Sequence, residues 1–181
     1  MSRVVCMKRC RAVAGRAVTI TRMDTPAPAG ATIKAEQVLN GFGCSGGNVS
    51  PALSWSHAPS GTKSFALILH DPDAPTGVGG FTHWIVYNIP ATATGLAKGA
   101  GAADGKALPA GAGQSVTSFG AAGYGGPCPP AGDAPHKYVF TLYALKTERI
   151  DLPANSTQAL AGFTINGASL GSATFTALYG R

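Results

Sequence analysis

Three apolar runs of strand length, each adjoining a loop of Pro, Gly, Asp and His residues, constrain this chain more than any other feature. They are residues 64–70 (SFALILH), 83–89 (HWIVYNI) and 137–145 (KYVFTLYAL). They lack the apolar–polar alternation of a strand with one wet face, and turn residues bound them, which suits strands buried on both sides. Residues 71–80 (DPDAPTGVGG) separate the first run from the second, and Pro90 ends the second, so these two make the best-supported strand pair.

The remaining segments point the same way. Residues 17–23 (AVTITRM) and 53–56 (LSWS) read as strands, with Trp55 as a core anchor. Residues 25–33 read as turn and linker, 34–42 as an extended segment, and 44–51 (CSGGNVSP) as a loop. Residues 91–113 are rich in Ala and Gly without a period, and predict a long mobile excursion before a return strand over 114–119. Asn155 or Ser156 predicts the cap of a short helix ending near Ala161, with Gly162 as its stop. Residues 170–179 close the chain as a strand or a mixed strand and helix end. With 25 Gly and 13 Pro, seven or more strands and one helix of note, the chain predicts a mainly β domain with Greek-key connections, not an alternating βαβ fold. One domain over 17–181 follows an irregular basic arm over 1–16.

The formal charge of +6 suggests nucleic acid, but its distribution argues against such a partner. Arg3, Lys8, Arg9, Arg11, Arg16 and Arg22 all precede the first acid, Asp24. From residue 23 onward eight Lys and Arg meet eight Asp and Glu, so the basic residues sit on an arm and not on a folded face. No apolar run reaches the length of a membrane span. The basic leader has no uninterrupted apolar segment, which predicts a cytoplasmic protein, with the periplasm as the alternative if the true start lies elsewhere. Cys44 and Cys128 each lie in a Gly-rich loop, FGCSGGN and YGGPCPP. Two free thiols are the usual intracellular outcome; a bridge between the loops is the sharper alternative, with sulfurs placed for it and the bond set by redox conditions.

The chemistry concentrates where loops meet the buried runs. Pro72 and Pro75 restrict the DPDAP turn and hold Asp71 and Asp73. Asp-Pro pairs are common turn formers, and that reading is preferred for Asp73, whereas Asp71 ends a buried strand and suits a site. A cis Ala74–Pro75 bond is expected in so tight a turn. His83 and His136 stand at equivalent strand ends, and Tyr138 shares a strand face with His136. A carboxylate on one imidazole nitrogen would leave the other for a ligand. Gly125, Gly126 and the run Pro127–Pro130 leave backbone that a phosphate could approach. Two His and one or two Asp also suit zinc or iron in composition, but no compact metal signature is present and no cofactor is expected. No serine lies in a nucleophile-elbow context, so an acid–base enzyme, a small hydrolase or lyase using His83, His136 and Asp71 on an anionic substrate, is the alternative to a binding protein.

These motifs, DPDAP…HWIVYNIP and GYGGPCPPAGDAPHKYVFTLYAL, resemble the phosphatidylethanolamine-binding proteins, also called Raf kinase inhibitor-like proteins. FGCSGGNVSPALSW, GTKSFAL and LGSATFTALYGR resemble the bacterial branch, and the likeness runs from about residue 17 to 181. The resemblance implies an antiparallel β-sandwich with a small C-terminal helix and a surface pocket for phosphate-like anions and phospholipid headgroups. It carries the pocket motif onto Asp71, Pro75, His83, Cys128, Pro130, His136 and Tyr138, to which the residues themselves add Asp73 and Gly126. Expected partners are a phosphorylated small molecule, a phospholipid headgroup or a phosphorylated protein segment, in a kinase-inhibitor-like role, and the branch implies a homodimer.

Overall fold

The computed structural model describes residues 19–22, 31–153 and 155–181. The expected arm over 1–16 and most of the expected linker over 25–33 lie outside these residues. Strands β1 (Thr19–Arg22), β2 (Ala31–Thr32), β3 (Asn40–Gly41), β4 (Cys44–Ser45) and β5 (Leu53–Ser56) come first. The long strands β6 (Ser64–Asp71) and β7 (Phe81–Pro90) follow, then β8 (Gly95–Leu96), β9 (Gly113–Gln114) and β10 (His136–Leu145). Helix α1 (Gln158–Ala168) runs directly into β11 (Ser169–Tyr179).

A six-stranded sheet in the order β2-β11-β10-β6-β7-β9 faces a three-stranded sheet, β1-β5-β8. Among the described residues all strand pairings are antiparallel except β2 with β11. The three apolar runs are its centre because both their faces are covered. Phe65, Leu67 and Leu69 of β6, Trp84 and Val86 of β7, and Phe140 and Leu142 of β10 pack with Leu53, Trp55 and Leu96 of the smaller sheet. The alternate residues Ala66, Ile85 and Leu145 pack on the other face against Ala161, Ile165 and Ala168 of α1.

Three local expectations are corrected. The helix begins later, with Thr157 as its cap accepting from the Leu160 N–H at 3.2 Å, and passes through Gly162 to Ala168. Glycine costs about 1 kcal/mol in a helix; burying Ile165 and Ala168 on the sheet outweighs it. The segment over 34–42 is not extended throughout. Residues 35–38 form a turn, with Gly47 N–H donating to Ala35 O and Val49 N–H to Glu36 O at 3.0 Å each. The neighbouring loop thus satisfies backbone groups that a strand would have offered to a sheet. The excursion over 91–113 is a series of turns pinned to the core through β8 and the fully buried Ala100, not a loose loop.

Candidate functional site

The register of the large sheet assembles the site. Pairing Val139 with His70 sets the end of β6 against the start of β10, and pairing Asp71 with Phe81 brings in the start of β7. Asp71, His136, Tyr138 and His83 therefore meet at one end of the sandwich, around a pocket of about 390 Å³. Pro75, Cys128 and Pro130 also line it.

Asp71, only 2% exposed, has two separate tasks. Its Oδ1 accepts from the N–H groups of Asp73 (2.9 Å) and Ala74 (3.1 Å) and so closes the DPDAP turn. Its Oδ2 lies 2.8 Å from His136 Nδ1. No cis peptide bond occurs among the described residues, so the cis expectation for Ala74–Pro75 is wrong. The chain reverses on the Asp71 carboxylate instead.

The pKa values of the two histidines are pushed in opposite directions. Nδ1 of His83 donates to Gly125 O at 2.8 Å, because a carbonyl can only accept, and Nε2 is left with a lone pair. Burial lowers the His83 pKa, outweighing the Gly125 carbonyl and the Asp71 charge, and keeps the ring neutral. Burial also works against a charge on His136, but the hydrogen bond and charge of Asp71, helped by Asp133 at 3.5 Å, raise its pKa. In its protonated form His136 carries a second N–H at Nε2, on the side of Asp133, whereas His83 presents an acceptor at Nε2. Tyr138 is fully buried in the pocket wall, and among the described residues its hydroxyl makes no hydrogen bond of regular geometry, with the Asp71 carboxylate nearby. Burial first, then the nearby Asp71 charge, pushes its pKa up, so it remains a neutral donor.

Asp73 does not line the pocket. It accepts from the Lys137 N–H at 2.8 Å and faces the Lys137 ammonium at 3.6 Å, which fits the turn-forming reading. Gly126 is likewise outside the lining. A Cβ there would strike the Gln37 carbonyl and the Leu39 nitrogen, and its N–H donates to Asn48 Oδ1 at 2.8 Å. It is a close-packing glycine behind the rim. Cys44 and Cys128 are joined in a disulfide with Cα atoms 6.0 Å apart, tying the β3–β4 hairpin to the pocket loop.

Sequence reasoning missed part of the wall. Phe119 packs edge-on against Phe81 (4.8 Å) and His83 (5.4 Å), and Phe42, at the tip of the β3–β4 hairpin, stacks on Phe119 (6.2 Å). Arg181 also lines the pocket. The only sequence signal for Phe42 is an aromatic between two glycines, and Arg181 carried none beyond its place in LYGR.

A β-sandwich with a largely apolar pocket at one end, into which two histidines and an aspartate are set, defines a class of binding domain. The chain belongs to the phosphatidylethanolamine-binding protein family, whose profile matches residues 26–180. It is 52% identical to the UPF0098 protein YbcL of Escherichia coli over 150 residues, 83% of this chain and 81% of YbcL. To YbhB of the same organism it is 46% identical over 142 residues, 78% of this chain and 88% of YbhB. The crystal structure of E. coli YbcL, described as a new member of the mammalian family, superposes with a TM-score of 0.84 at 48% identity, covering 91% of this chain and 98% of that one. No helix among the described residues is long and apolar enough to cross a membrane.

Proposed function

We propose that this protein binds phosphate-bearing ligands, small phosphorylated molecules or phospholipid headgroups, in the pocket between His83, His136 and Tyr138. The observation that carries this reading is the convergence on one pocket of His83, whose Nε2 is left free to accept, of His136, anchored to Asp71 through Nδ1, and of the Tyr138 side chain. Inorganic phosphate with one proton, HPO4²⁻, carries two charges and offers both P–O⁻ acceptors and a P–OH donor, whereas a phosphodiester headgroup offers P–O⁻ acceptors alone. Pro75, Cys128 and Pro130 shape the wall, while Asp73 and Gly126 support the loops behind it.

A kinase-inhibitor-like regulatory role would place a phosphorylated protein segment in the same pocket. The homodimer implied by the bacterial branch is supported by the outer edge of β11. Among the described residues, β2 covers it only at Ala177 and Leu178. The Cys44–Cys128 bond favours an oxidising compartment over the cytoplasm expected from the leader.

The test is titration of the His83 and His136 imidazole resonances with inorganic phosphate and phosphoethanolamine. Both should move at millimolar ligand. His83→Ala should weaken binding by about 1–3 kcal/mol, the scale of a hydrogen bond to a charged group. Resonances that stay fixed refute the reading, and turnover of either compound would favour the acid–base enzyme instead.

A further inference from the structure

An anion site needs positive charge that the protein has not already matched with a carboxylate. His136 faces Asp71 at 2.8 Å and Asp133 at 3.5 Å. The neighbouring Lys137 is turned to Asp73 and does not line the pocket. His83 spends its N–H on the Gly125 carbonyl. Any charge on His136 is therefore already matched by two carboxylates, and these groups offer an anion hydrogen bonds but no surplus positive charge.

Arg181 is the other cationic side chain among the pocket-lining residues. Its Nε donates to Pro129 O at 2.7 Å and its Nη1 to Gly43 O at 2.9 Å, with Nη2 at 3.5 Å from Phe42 O. All three acceptors are neutral carbonyls. Among the described residues no carboxylate lies within ion-pair distance of this guanidinium. Five N–H groups in a rigid fork leave two beyond these contacts. The carbonyls hold the charge in place before any ligand arrives, which lowers the ordering cost of binding.

We propose that Arg181 is a ligand-binding residue of this pocket, and that it sets a preference for doubly over singly charged oxyanions. The inference rests on the phosphate-binding reading above and deepens it, since it names the charge state that the site selects. A planar guanidinium suits tetrahedral oxyanions bearing two adjacent free oxygens.

Calorimetric titration of the full chain with sulfate and with methanesulfonate, at pH 7 and constant ionic strength, tests it. Both anions are tetrahedral at sulfur and neither has a proton to donate to His83 at this pH; they differ in charge and in the methyl group that replaces one oxygen, and the Arg181 variants separate these two differences. Wild-type protein should bind sulfate about tenfold more tightly or better, the scale of one hydrogen bond to a charged group. In Arg181→Gln that ratio should collapse towards one. Arg181→Lys should keep the preference at lower affinity, because an ammonium keeps the charge but loses the fork. A merely structural role would weaken both anions in proportion and leave the ratio unchanged in Arg181→Gln; that result overturns the inference and leaves the phosphate reading standing. Equal affinities in wild-type protein overturn it without any variant. Wild-type protein that binds neither sulfate nor inorganic phosphate overturns both.

Discussion

Replacing Asp71 by Asn separates the two tasks of this carboxylate. The amide oxygen can still accept from the Asp73 and Ala74 N–H groups, so the turn should persist. The other oxygen, 2.8 Å from His136 Nδ1, becomes an NH₂ group, and a donor then faces a donor. His136 can escape only by giving up its Nδ1 proton and becoming neutral. With the carboxylate gone, burial dominates and Asp133, half-exposed and at 3.5 Å, is the remaining support. The His136 titration midpoint should therefore fall from above the ordinary value of 6.5 to below it. The stability lost is that of one charge-assisted hydrogen bond, about 1.5–3 kcal/mol. It stays below the roughly 3–5 kcal/mol of a broken buried ion pair, because deprotonation spares the protein an orphaned charge.

The sign with pH follows from linkage. A histidine with a raised folded-state pKa contributes stability that is full below its unfolded value and fades as pH rises through the folded one. The cost of Asp71→Asn should thus be about 2 kcal/mol at pH 6 and shrink towards zero well into the alkaline range. Imidazole NMR titration and urea unfolding, at pH 6 and at a pH above the measured His136 midpoint, measure the two effects. A His136 midpoint that does not move, or a stability cost equal at both pH values, would refute the account of Asp71 as the group that charges His136.

Other substitutions test the frame. Gly126→Ala drives a methyl into backbone on the Gln37–Leu39 side, where no side chain can rotate away, and should cost about 1–3 kcal/mol by thermal unfolding. Replacing Cys44 and Cys128 by Ala releases a cross-link between residues 84 apart. Chain entropy sets the loss at about 4–5 kcal/mol at most, and denaturant curves with and without reductant should give the same answer as the variant. His83 has a lowered pKa, so its contribution is present above pH 6.5 and is lost as pH falls below it. His83→Gln should flatten that acid-side loss in urea unfolding between pH 7 and 5.

What was legible in the sequence and what was not divides along a physical line. The long strands were legible because burial on both faces leaves its mark within each run, as in SFALILH and HWIVYNI. Asp71, His83, His136 and Tyr138 were legible because a polar group at the end of such a run has few ways to be satisfied except by meeting others of its kind. The helix end was misread because Gly162 is a local signal, whereas the burial of Ile165 and Ala168 is a tertiary one. The DPDAP turn was misread for the same reason. Two prolines suggested that an isomer closes it, yet the Asp71 side chain does so, and that carboxylate is held in turn by a histidine 65 residues away. Arg181 is the extreme case. Its partners Gly43 and Pro129 lie 138 and 52 residues distant, and nothing in its own surroundings marks a cation destined for neutral carbonyls. A pocket's hydrogen-bonding groups can thus be read from strand ends, while its balance of charge emerges only when every loop that reaches it has been placed.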